Sequence, residues 1–376
     1  MSNKPLKVLT VVGTRPEIIR LSATIKLLDS LVDHVLVHTG QNYDYELNEV
    51  FFEDLGLRAP DHFLEADTSS LGKVLGSILA KTEAVLLEER PDAMLVLGDT
   101  NSAIAAIMAR RLHIPVYHME AGNRCFDENV PEEVNRRMID HVADYNLVYT
   151  EHARRNLLAE GMHPSRILLT GSPMREVLGN NEAGIASSDV LTRLELTAGD
   201  YFVVSLHREE NVDNPARLKS ALDALNEVGE RYQLPVLVST HPRTRLRLQE
   251  RDTEATKNLT FHPPFGFNDY ITLQKNSRLT LSDSGTISEE SSILRFPAIT
   301  LRDSIERPEA LDSGSIITAG VEEESILGAV ETILSPLARL PYSLPSGYEI
   351  DDTSQRVVRF IRSTAPSHAQ RSGLRT

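Results

Sequence analysis

Residues 6–30 read LKVLTVVGTRPEIIRLSATIKLLDS, an apolar run followed by a glycine turn and a segment of helical length. The run over residues 6–13 is nearly continuous rather than alternating, which is typical of a strand covered by helices on both faces. Pro16 suits the first turn of a helix, where its missing N–H costs no hydrogen bond. This stretch therefore predicts a strand, a turn and a helix, the repeating unit of a parallel sheet.

The same pattern recurs along the chain. Further apolar runs in the first half lie at residues 34–40, 93–100, 115–122, 145–150 and 166–171. A second series lies at residues 201–207, 235–241, 258–262, 278–284, 297–303 and 314–320. Segments of helical length separate the runs in both series. Strand and helix in alternation predict an α/β protein with two doubly wound parallel sheets.

The length of 376 residues also favours two domains, because single cores stop growing at roughly 250–300 residues. The polar stretch GNNEAGIASSD, residues 179–189, separates the two series and is the expected linker region. We expect an N-terminal Rossmann-like domain over residues 1–178 and a C-terminal one over residues 179–350. Residues 351–376 are expected to form a helix near 353–361 that packs back on the body, followed by a disordered tail. Ligands of open parallel sheets bind beyond the carboxyl ends of the strands, so the two domains are expected to face each other across a cleft.

The charge balance limits the possible partners. The chain has 39 Lys and Arg against 54 Asp and Glu, a formal net charge of −15. This surplus of acid argues against binding of nucleic acid or of an anionic membrane through a broad basic face. No apolar run approaches the roughly 20 residues that cross a bilayer. A lone cysteine, Cys125, and the lack of a leader pattern favour a cytoplasmic protein.

Carboxylates follow the predicted strands of the first half. Asp99 and Glu120 end two strands that are expected to be neighbours, and Glu132 and Glu133 follow Pro131. Carboxylates gathered at one site can shift one another's pKa values and divide acid and base roles. Proline followed by two glutamates is also an ordinary helix start that matches the helix dipole, so this alternative stays open.

Residues 283–290, DSGTISEE, follow a predicted strand of the second half and open a helix. Backbone N–H groups at a helix N-terminus, with the Ser284 and Thr286 hydroxyls, suit a phosphate, and a glutamate one turn later suits ribose hydroxyls. The alternative is a simple capping box. Neither a GxGxxG nor a Walker A sequence occurs, which disfavours a tightly bound dinucleotide and a P-loop NTPase.

A metal site is not expected. His113, His118 and His141 do not share a helical face with a partner carboxylate, and neither HExxH nor a cysteine pair occurs. We therefore expect neither a metal nor another cofactor.

Seven short motifs, in order, resemble the non-hydrolysing UDP-N-acetylglucosamine 2-epimerase family over about residues 6–340. They are GTRPE (13–17), GDT (98–100), EAG (120–122), PEE with NR (131–136), HR (207–208), DSG with EE (283–290) and ERPE (306–309). The resemblance implies the GT-B fold, with the nucleotide bound between two Rossmann-like domains. Many members have lysine five residues after the arginine of the first motif, whereas this chain has Arg20.

The resemblance also implies a chemistry and a set of residues. Elimination of UDP across C1 and C2 and its re-addition need a base, an acid on the opposite face, and cations that hold the diphosphate. Asp99, Glu120 and Glu132 match the acid and base carboxylates of the family, and His207 matches a position near the phosphates. Nucleotide, phosphate or substrate contacts are expected at Arg15, Arg20, Arg136, Arg208, His241, Ser284, Gly285, Thr286, Glu290 and Arg307.

Two stretches, HTGQNYDYELNEVFF (38–52) and HMEAGNRCFDENVPEE (118–133), are similar to one branch of the family. That branch converts UDP-2-acetamido-2,6-dideoxy-L-talose to UDP-N-acetyl-L-fucosamine for capsule or O-antigen synthesis. UDP-N-acetylglucosamine and a diacetamido uronic acid sugar are the alternative substrates, and a GT-B glycosyltransferase is the alternative from another class. The resemblance further implies a homodimer.

Overall fold

The computed structural model describes residues 5–41, 45–240, 257–338 and 343–374. The chain divides into two units, one made of Met1–Asn180 with Ser346–Thr376 and the other of Asn181–Pro345. The division falls after Asn180, whereas the sequence placed it after residue 178. Residues 346–350, expected in the second domain, belong to the first unit.

The first unit contains a seven-stranded sheet in which every pairing is parallel. Its strands are β1 (Lys7–Val12), β2 (Asp33–His38), β3 (His62–Phe63), β4 (Ala93–Leu97), β5 (Val116–Met119), β6 (Tyr145–Val148) and β7 (Ile167–Leu169). The helices before the division are α1 (Arg15–Leu31), α2 (Tyr45–Asp54), α3 (Leu71–Glu89), α4 (Ala106–Arg111), α5 (Pro131–Val142), α6 (Glu151–Ala159) and α7 (Met174–Asn180).

The second unit contains a six-stranded parallel sheet. Its strands are β8 (Phe202–Leu206), β9 (Val236–Thr240), β10 (Leu259–His262), β11 (Leu279–Ser282), β12 (Ala298–Thr300) and β13 (Ile317–Thr318). Its described helices are α8 (Glu182–Ser187), α9 (Val190–Arg193), α10 (Glu209–Val212), α11 (Pro215–Tyr232), α12 (Phe267–Asn276), α13 (Ile287–Leu294), α14 (Pro308–Asp312) and α15 (Glu323–Leu334).

The two sheets have the same strand order. The first runs β3-β2-β1-β4-β5-β6-β7 and the second β10-β9-β8-β11-β12-β13, so the first sheet has one additional strand, β7, at its edge. In each sheet the order in which strands are added changes direction beside the first strand, β1 or β8. This is the Rossmann arrangement, and the predicted fold class is confirmed. Ligands of such sheets bind beyond the carboxyl ends of the strands at the reversal, between β1 and β4 in one unit and between β8 and β11 in the other.

Buried apolar side chains cover both faces of the strands. Every residue of β4 is buried, as are Val8–Val12 of β1, which explains why these strands read as continuous apolar runs. The sequence missed β3 because two residues carry no periodic signal. It also expected a linker at 179–189, where the structure has the end of α7 and then α8.

The C-terminal segment forms α16 (Thr353–Thr364), a 3₁₀ turn (Ala365–Ser367) and α17 (His368–Arg371). Val357, Val358 and Ile361 of α16 are buried in the first unit. The expectation of a disordered tail from residue 363 is wrong as far as Arg371. The sequence predicted disorder because the tail has few large apolar residues. In the structure the tail is held by a histidine instead: the buried His368 ring packs on the edge of Tyr145, with centroids 5.9 Å apart.

Among the residues described, no helix is both long enough and apolar enough to cross a membrane.

Candidate active site

Asp99 follows β4 and is held by an arginine from α5. Arg136 donates to Asp99 Oδ2 from Nη2 at 2.6 Å and from Nε at 2.9 Å. Asn135 Nδ2 donates to the Asp99 carbonyl oxygen at 2.9 Å. The Asp99 side chain is 23% exposed, whereas Arg136 is buried. A buried guanidinium thus fixes a carboxylate that stays open to solvent.

Glu120 follows β5 and is held by an arginine from α1. Arg20 Nη1 lies 2.7 Å from Glu120 Oε2, and its Cζ lies 5.8 Å from the centroid of the Tyr149 ring. The φ of Glu120 is +65°, a left-handed conformation that costs a non-glycine residue about 1–3 kcal/mol. β4 pairs with β5, so Asp99 and Glu120 follow neighbouring strands, as the sequence predicted.

Two adjacent glutamates in the first turn of α5 differ in their burial and contacts. Glu132 is half-buried, whereas Glu133 is 1% exposed. Glu133 bonds Arg136 Nη1 at 2.9 Å and Arg137 Nη2 at 2.9 Å, and it accepts from the Cys125 backbone N–H at 3.2 Å. Burial acts to raise the pKa of Glu133, but the hydrogen bonds from Cys125 and Arg137 and the charge of Arg136 outweigh it, so the pKa is lowered. Glu133 therefore supports Arg136, the partner of Asp99.

A buried polar cluster of His118, Asp140 and Arg124 lies behind both strand ends. His118 is fully buried, with Nε2 at 2.8 Å from the Gly98 carbonyl oxygen and Nδ1 at 3.0 Å from Asp140 Oδ1. Asp140 also accepts from the Gly122 N–H at 3.2 Å and from Arg124 Nη1 at 2.7 Å. The backbone on either side of the two candidate carboxylates is therefore anchored to one network.

Glu17 ties the loop after β1 to the loop after β4. Its Oε2 accepts from the backbone N–H groups of Gly13 at 2.8 Å and Thr14 at 2.7 Å. Its Oε1 accepts from Thr100 Oγ1 at 2.9 Å and from Ser102 Oγ. Burial raises the pKa of Glu17, and these hydrogen bonds act in the opposite direction. A single carboxylate thus joins the two loops at the reversal of the first sheet.

In the second unit Asp283 joins the corresponding two loops, those after β8 and β11. It follows β11, is fully buried, and lies with Oδ1 at 2.9 Å from His207 Nδ1. Burial acts to raise the pKa of Asp283, but the charge and hydrogen bond of His207 and contacts to Arg208 outweigh it and lower the pKa to about 2. The predicted residues His207 and Arg208 thus meet the DSG motif at the reversal of the second sheet.

The residues expected to bind phosphate lie at the start of α13. Ser284 Oγ is 3.0 Å from Thr286 Oγ1. Arg307 Nη1 donates to the Gly285 carbonyl oxygen at 2.7 Å, and Arg307 Nε lies 3.2 Å from Glu289 Oε2. Arg307 is buried, so its guanidinium is held against Gly285.

The other predicted residues are distributed as follows. Glu290 is buried on α13 and accepts from Gln274 Nε2 at 2.9 Å. Arg15 is half-buried at the start of α1, with Cζ 5.7 Å from the centroid of the Phe51 ring. Arg208 Nε donates to the Asp283 carbonyl oxygen at 3.1 Å. His241 lies outside the described residues. The described portion of the chain has no group of three or more His, Cys, Asp or Glu residues that could hold a metal ion.

Comparisons with known proteins identify the family of the chain. The sequence matches the family described as UDP-N-acetylglucosamine 2-epimerase over residues 27–362. The chain belongs to this family. It is accordingly an isomerase, and the alternative of a GT-B glycosyltransferase is not supported.

Three relatives illustrate the similarity of this epimerase to characterised chains. A UDP-N-acetylglucosamine 2-epimerase of Methanocaldococcus jannaschii is 37% identical, over 95% of this chain and 99% of its own. Its structure in complex with UDP-GlcNAc and UDP gives a TM-score of 0.90, covering 95% of this chain and 100% of that one. A UDP-N-acetylglucosamine 2-epimerase structure from Rickettsia bellii is 44% identical with a TM-score of 0.91, covering 97% and 98%. A UDP-2,3-diacetamido-2,3-dideoxy-D-glucuronate 2-epimerase of Pseudomonas aeruginosa is 34% identical over 88% and 92%.

The sequence analysis assigned no role to Glu17, Glu133 or Asp283, although these residues lie within the motifs GTRPE, PEE and DSG. Glu133 has a detectable signal, because Arg136 and Arg137 stand three and four residues later and so share its helix face. Glu17 and Asp283 act on residues 83 and 76 positions away in the chain. Spacing carries no signal for such contacts.

Proposed function

We propose that this epimerase inverts C2 of a UDP-N-acetylhexosamine by eliminating UDP and adding it back. The observation that carries the proposal is the pair of carboxylates after neighbouring strands, Asp99 and Glu120, each bonded to its own buried arginine. Supporting arginines hold the two acids in defined positions, as proton transfer at a single carbon requires.

The chemistry follows from the substrate. C2 of an N-acetylhexosamine has no adjacent carbonyl carbon in the ring, so a carbanion there is poorly stabilised. Removal of the C2 proton by a carboxylate while the C1–O bond breaks avoids this intermediate. The C–H electron pair forms the C1–C2 double bond, and the C1–O pair leaves with UDP. UDP then attacks C1 of the 2-acetamidoglycal, and an acid delivers a proton to the opposite face of C2.

Three carboxylates are candidates for these proton transfers. We propose that Asp99, Glu120 and Glu132 carry out these transfers, with one of the three acting as the base and another as the acid. Glu133 is excluded from this role because two arginines and the Cys125 backbone occupy its buried carboxylate. Arg20 and Arg136 orient the carboxylates and add positive charge to the substrate site.

The second unit is assigned to UDP. Ser284, Gly285 and Thr286 supply hydroxyls and backbone N–H groups at the start of α13 for the phosphates. His207, Arg208 and Arg307 stabilise the negative charge of the departing diphosphate. His241 of the same unit and Arg15 of the first unit are assigned as further contacts. Glu290, fixed by Gln274, binds the ribose hydroxyls.

Within this reaction class we propose UDP-2-acetamido-2,6-dideoxy-L-talose as the substrate and UDP-N-acetyl-L-fucosamine as the product, made in the cytoplasm for a capsule or O-antigen. The support is the similarity of residues 38–52 and 118–133 to that branch of the family. The names of the relatives support UDP-N-acetylglucosamine as the second candidate. We also propose that the protein forms a homodimer, and light scattering of the purified protein tests this oligomeric state.

The test is incubation of the enzyme with each UDP-sugar in turn, followed by proton NMR of the sugar. We expect a C2 epimer from the 6-deoxy-L-talo substrate at a kcat/KM at least about tenfold above that for UDP-N-acetylglucosamine. Faster turnover of UDP-N-acetylglucosamine or of the diacetamido uronic acid would overturn the substrate assignment and keep the reaction class. Parallel samples treated with EDTA and without NAD are expected to keep full activity, and loss of turnover would contradict the cofactor-free route.

A further inference from the structure

The carboxylate of Asp283 accepts several hydrogen bonds from the turn that follows β8. Its two oxygens accept from the backbone N–H of His207 at 3.1 and 3.0 Å, and Oδ2 accepts from the backbone N–H of Arg208 at 3.0 Å. Asn211 Nδ2 donates to the same oxygen at 3.2 Å. With the contact to the His207 ring, one buried carboxylate holds the whole turn between β8 and α10.

The imidazole contact fixes the chemistry of the ring. Nδ1 of His207 lies 2.9 Å from Asp283 Oδ1 and 3.5 Å from Ser205 Oγ. Because an ionised carboxylate can only accept, the closer contact calls for a hydrogen on Nδ1. Nε2 is then the nitrogen available to a ligand. The His207 side chain is 38% exposed, while Asp283 is fully buried behind it. A carboxylate behind a ring in this way sets its tautomer and orientation.

The same residue connects the two loops assigned to the diphosphate. Arg208 Nε donates to the Asp283 carbonyl oxygen at 3.1 Å, and Ser284 follows Asp283 directly. Asp283 therefore sets the distance between the histidine and arginine on one side and the start of the phosphate-binding turn on the other.

We infer that Asp283 is a positioning residue for UDP departure: it accepts the Nδ1 hydrogen of His207 and keeps the His207–Arg208 turn beside Ser284, so that Nε2, when it carries a hydrogen, donates to the leaving diphosphate. The inference rests on the proposed function for the role of His207. It deepens that function by assigning an essential contribution to a residue that does not itself touch the substrate.

The first measurement needs no substrate. Long-range ¹⁵N–¹H NMR of the wild-type protein in alkaline buffer reports which ring nitrogen carries the hydrogen, and the His207→Gln spectrum assigns the signal. We expect Nδ1 to be protonated in the wild type and the ring to change to the Nε2–H form in Asp283→Asn. Nε2–H in the wild type would overturn the inference, even if Asp283→Asn does not fold.

The second measurement is kinetic. Asp283→Asn is expected to lower kcat about 100-fold, with KM changed by less than about threefold. The double variant with His207→Gln is expected to lose less activity than the product of the two single losses, because part of the effect of Asp283 passes through that ring. Asp269→Asn is the control, since Asp269 pairs with Arg193 in the same unit. Additive losses in the double variant would reduce Asp283 to a structural residue and overturn the inference.

The two measurements separate the inference from the proposed function. If the wild type epimerises no UDP-sugar, the proposed function fails while the NMR result still reports whether Asp283 sets the tautomer. If the wild type is active and Asp283→Asn matches it, the inference alone fails.

Discussion

Arg20 Nη1 lies 2.7 Å from Glu120 Oε2, and the arginine side chain is only 2% exposed. Replacing Arg20 by methionine would remove this buried guanidinium from the 12% exposed carboxylate of Glu120. We expect Arg20→Met to lower the free energy of unfolding by about 3 kcal/mol in urea denaturation. Arg154→Met removes an exposed pair with Glu151 and is expected to cost at most about 1 kcal/mol. Equal losses in the two variants would show that burial of the Arg20–Glu120 pair has no energetic consequence.

Gly285 is covered closely by Arg307. A Cβ at Gly285 would lie 2.6 Å from Arg307 Nη1 and 2.9 Å from Glu306 Oε1, which is too close for either atom. Because Glu289 and the Gly285 carbonyl hold the guanidinium, Gly285→Ala is expected to displace it and to weaken UDP binding roughly tenfold by calorimetry. Gly328→Ala, where a Cβ would meet nothing within 4 Å, is the matched control. Unchanged UDP affinity in Gly285→Ala would remove Arg307 from the phosphate site.

The lowered pKa of Asp283 predicts a dependence of stability on pH. Its pKa is about 2 in the folded protein, against 3.8 ordinarily. The unfolded chain therefore binds the proton first, so the stabilisation is complete above about pH 4 and is lost as the pH falls toward about 2. We expect the melting temperature of the wild type to fall more steeply from about pH 4 to about pH 2 than that of Asp283→Asn. Parallel curves would contradict the lowered pKa.

Helix α16 packs into the core of the first unit. Ile361 is fully buried, and Thr364 Oγ1 lies 2.6 Å from Tyr117 Oη. Ile361→Ala is expected to reduce the free energy of unfolding by about 2–5 kcal/mol. The exposed neighbour Arg359→Ala is expected to change it by no more than about 0.5 kcal/mol. Calorimetric melting of both variants tests this, and a neutral Ile361→Ala would mean that α16 adds no stability to the unit.

The sequence predicted the sheets because parallel strands buried on both faces leave continuous apolar runs. All six runs of the second series correspond to strands, and the first series lacks only β3. The C-terminal tail was misread because its packing depends on the ring of His368 rather than on aliphatic residues.

The candidate site was predictable in its residue types and only partly in its connections. Strand-end position identified Asp99, Glu120 and His207. The arginine partners could not be assigned, because Arg20 and Arg136 reach their carboxylates from helices elsewhere in the chain. The equivalence of Glu17 and Asp283, each joining two loops at a sheet reversal, appears only once both strand orders are known.

The proposed reaction breaks the C1–O bond and exchanges the C2 proton through Asp99, Glu120 and Glu132. The most direct test uses the substrate with ¹⁸O in the C1–O–P bridge, incubated in deuterated water and followed by NMR. We predict deuterium at C2 and movement of ¹⁸O into the non-bridging oxygens of the β-phosphate. Asp99→Asn, Glu120→Gln and Glu132→Gln are predicted to lose deuterium uptake and keep UDP affinity, while the exposed Glu128→Gln control keeps both. Epimerisation with ¹⁸O still in the bridge and hydrogen retained at C2 would exclude elimination and re-addition of UDP.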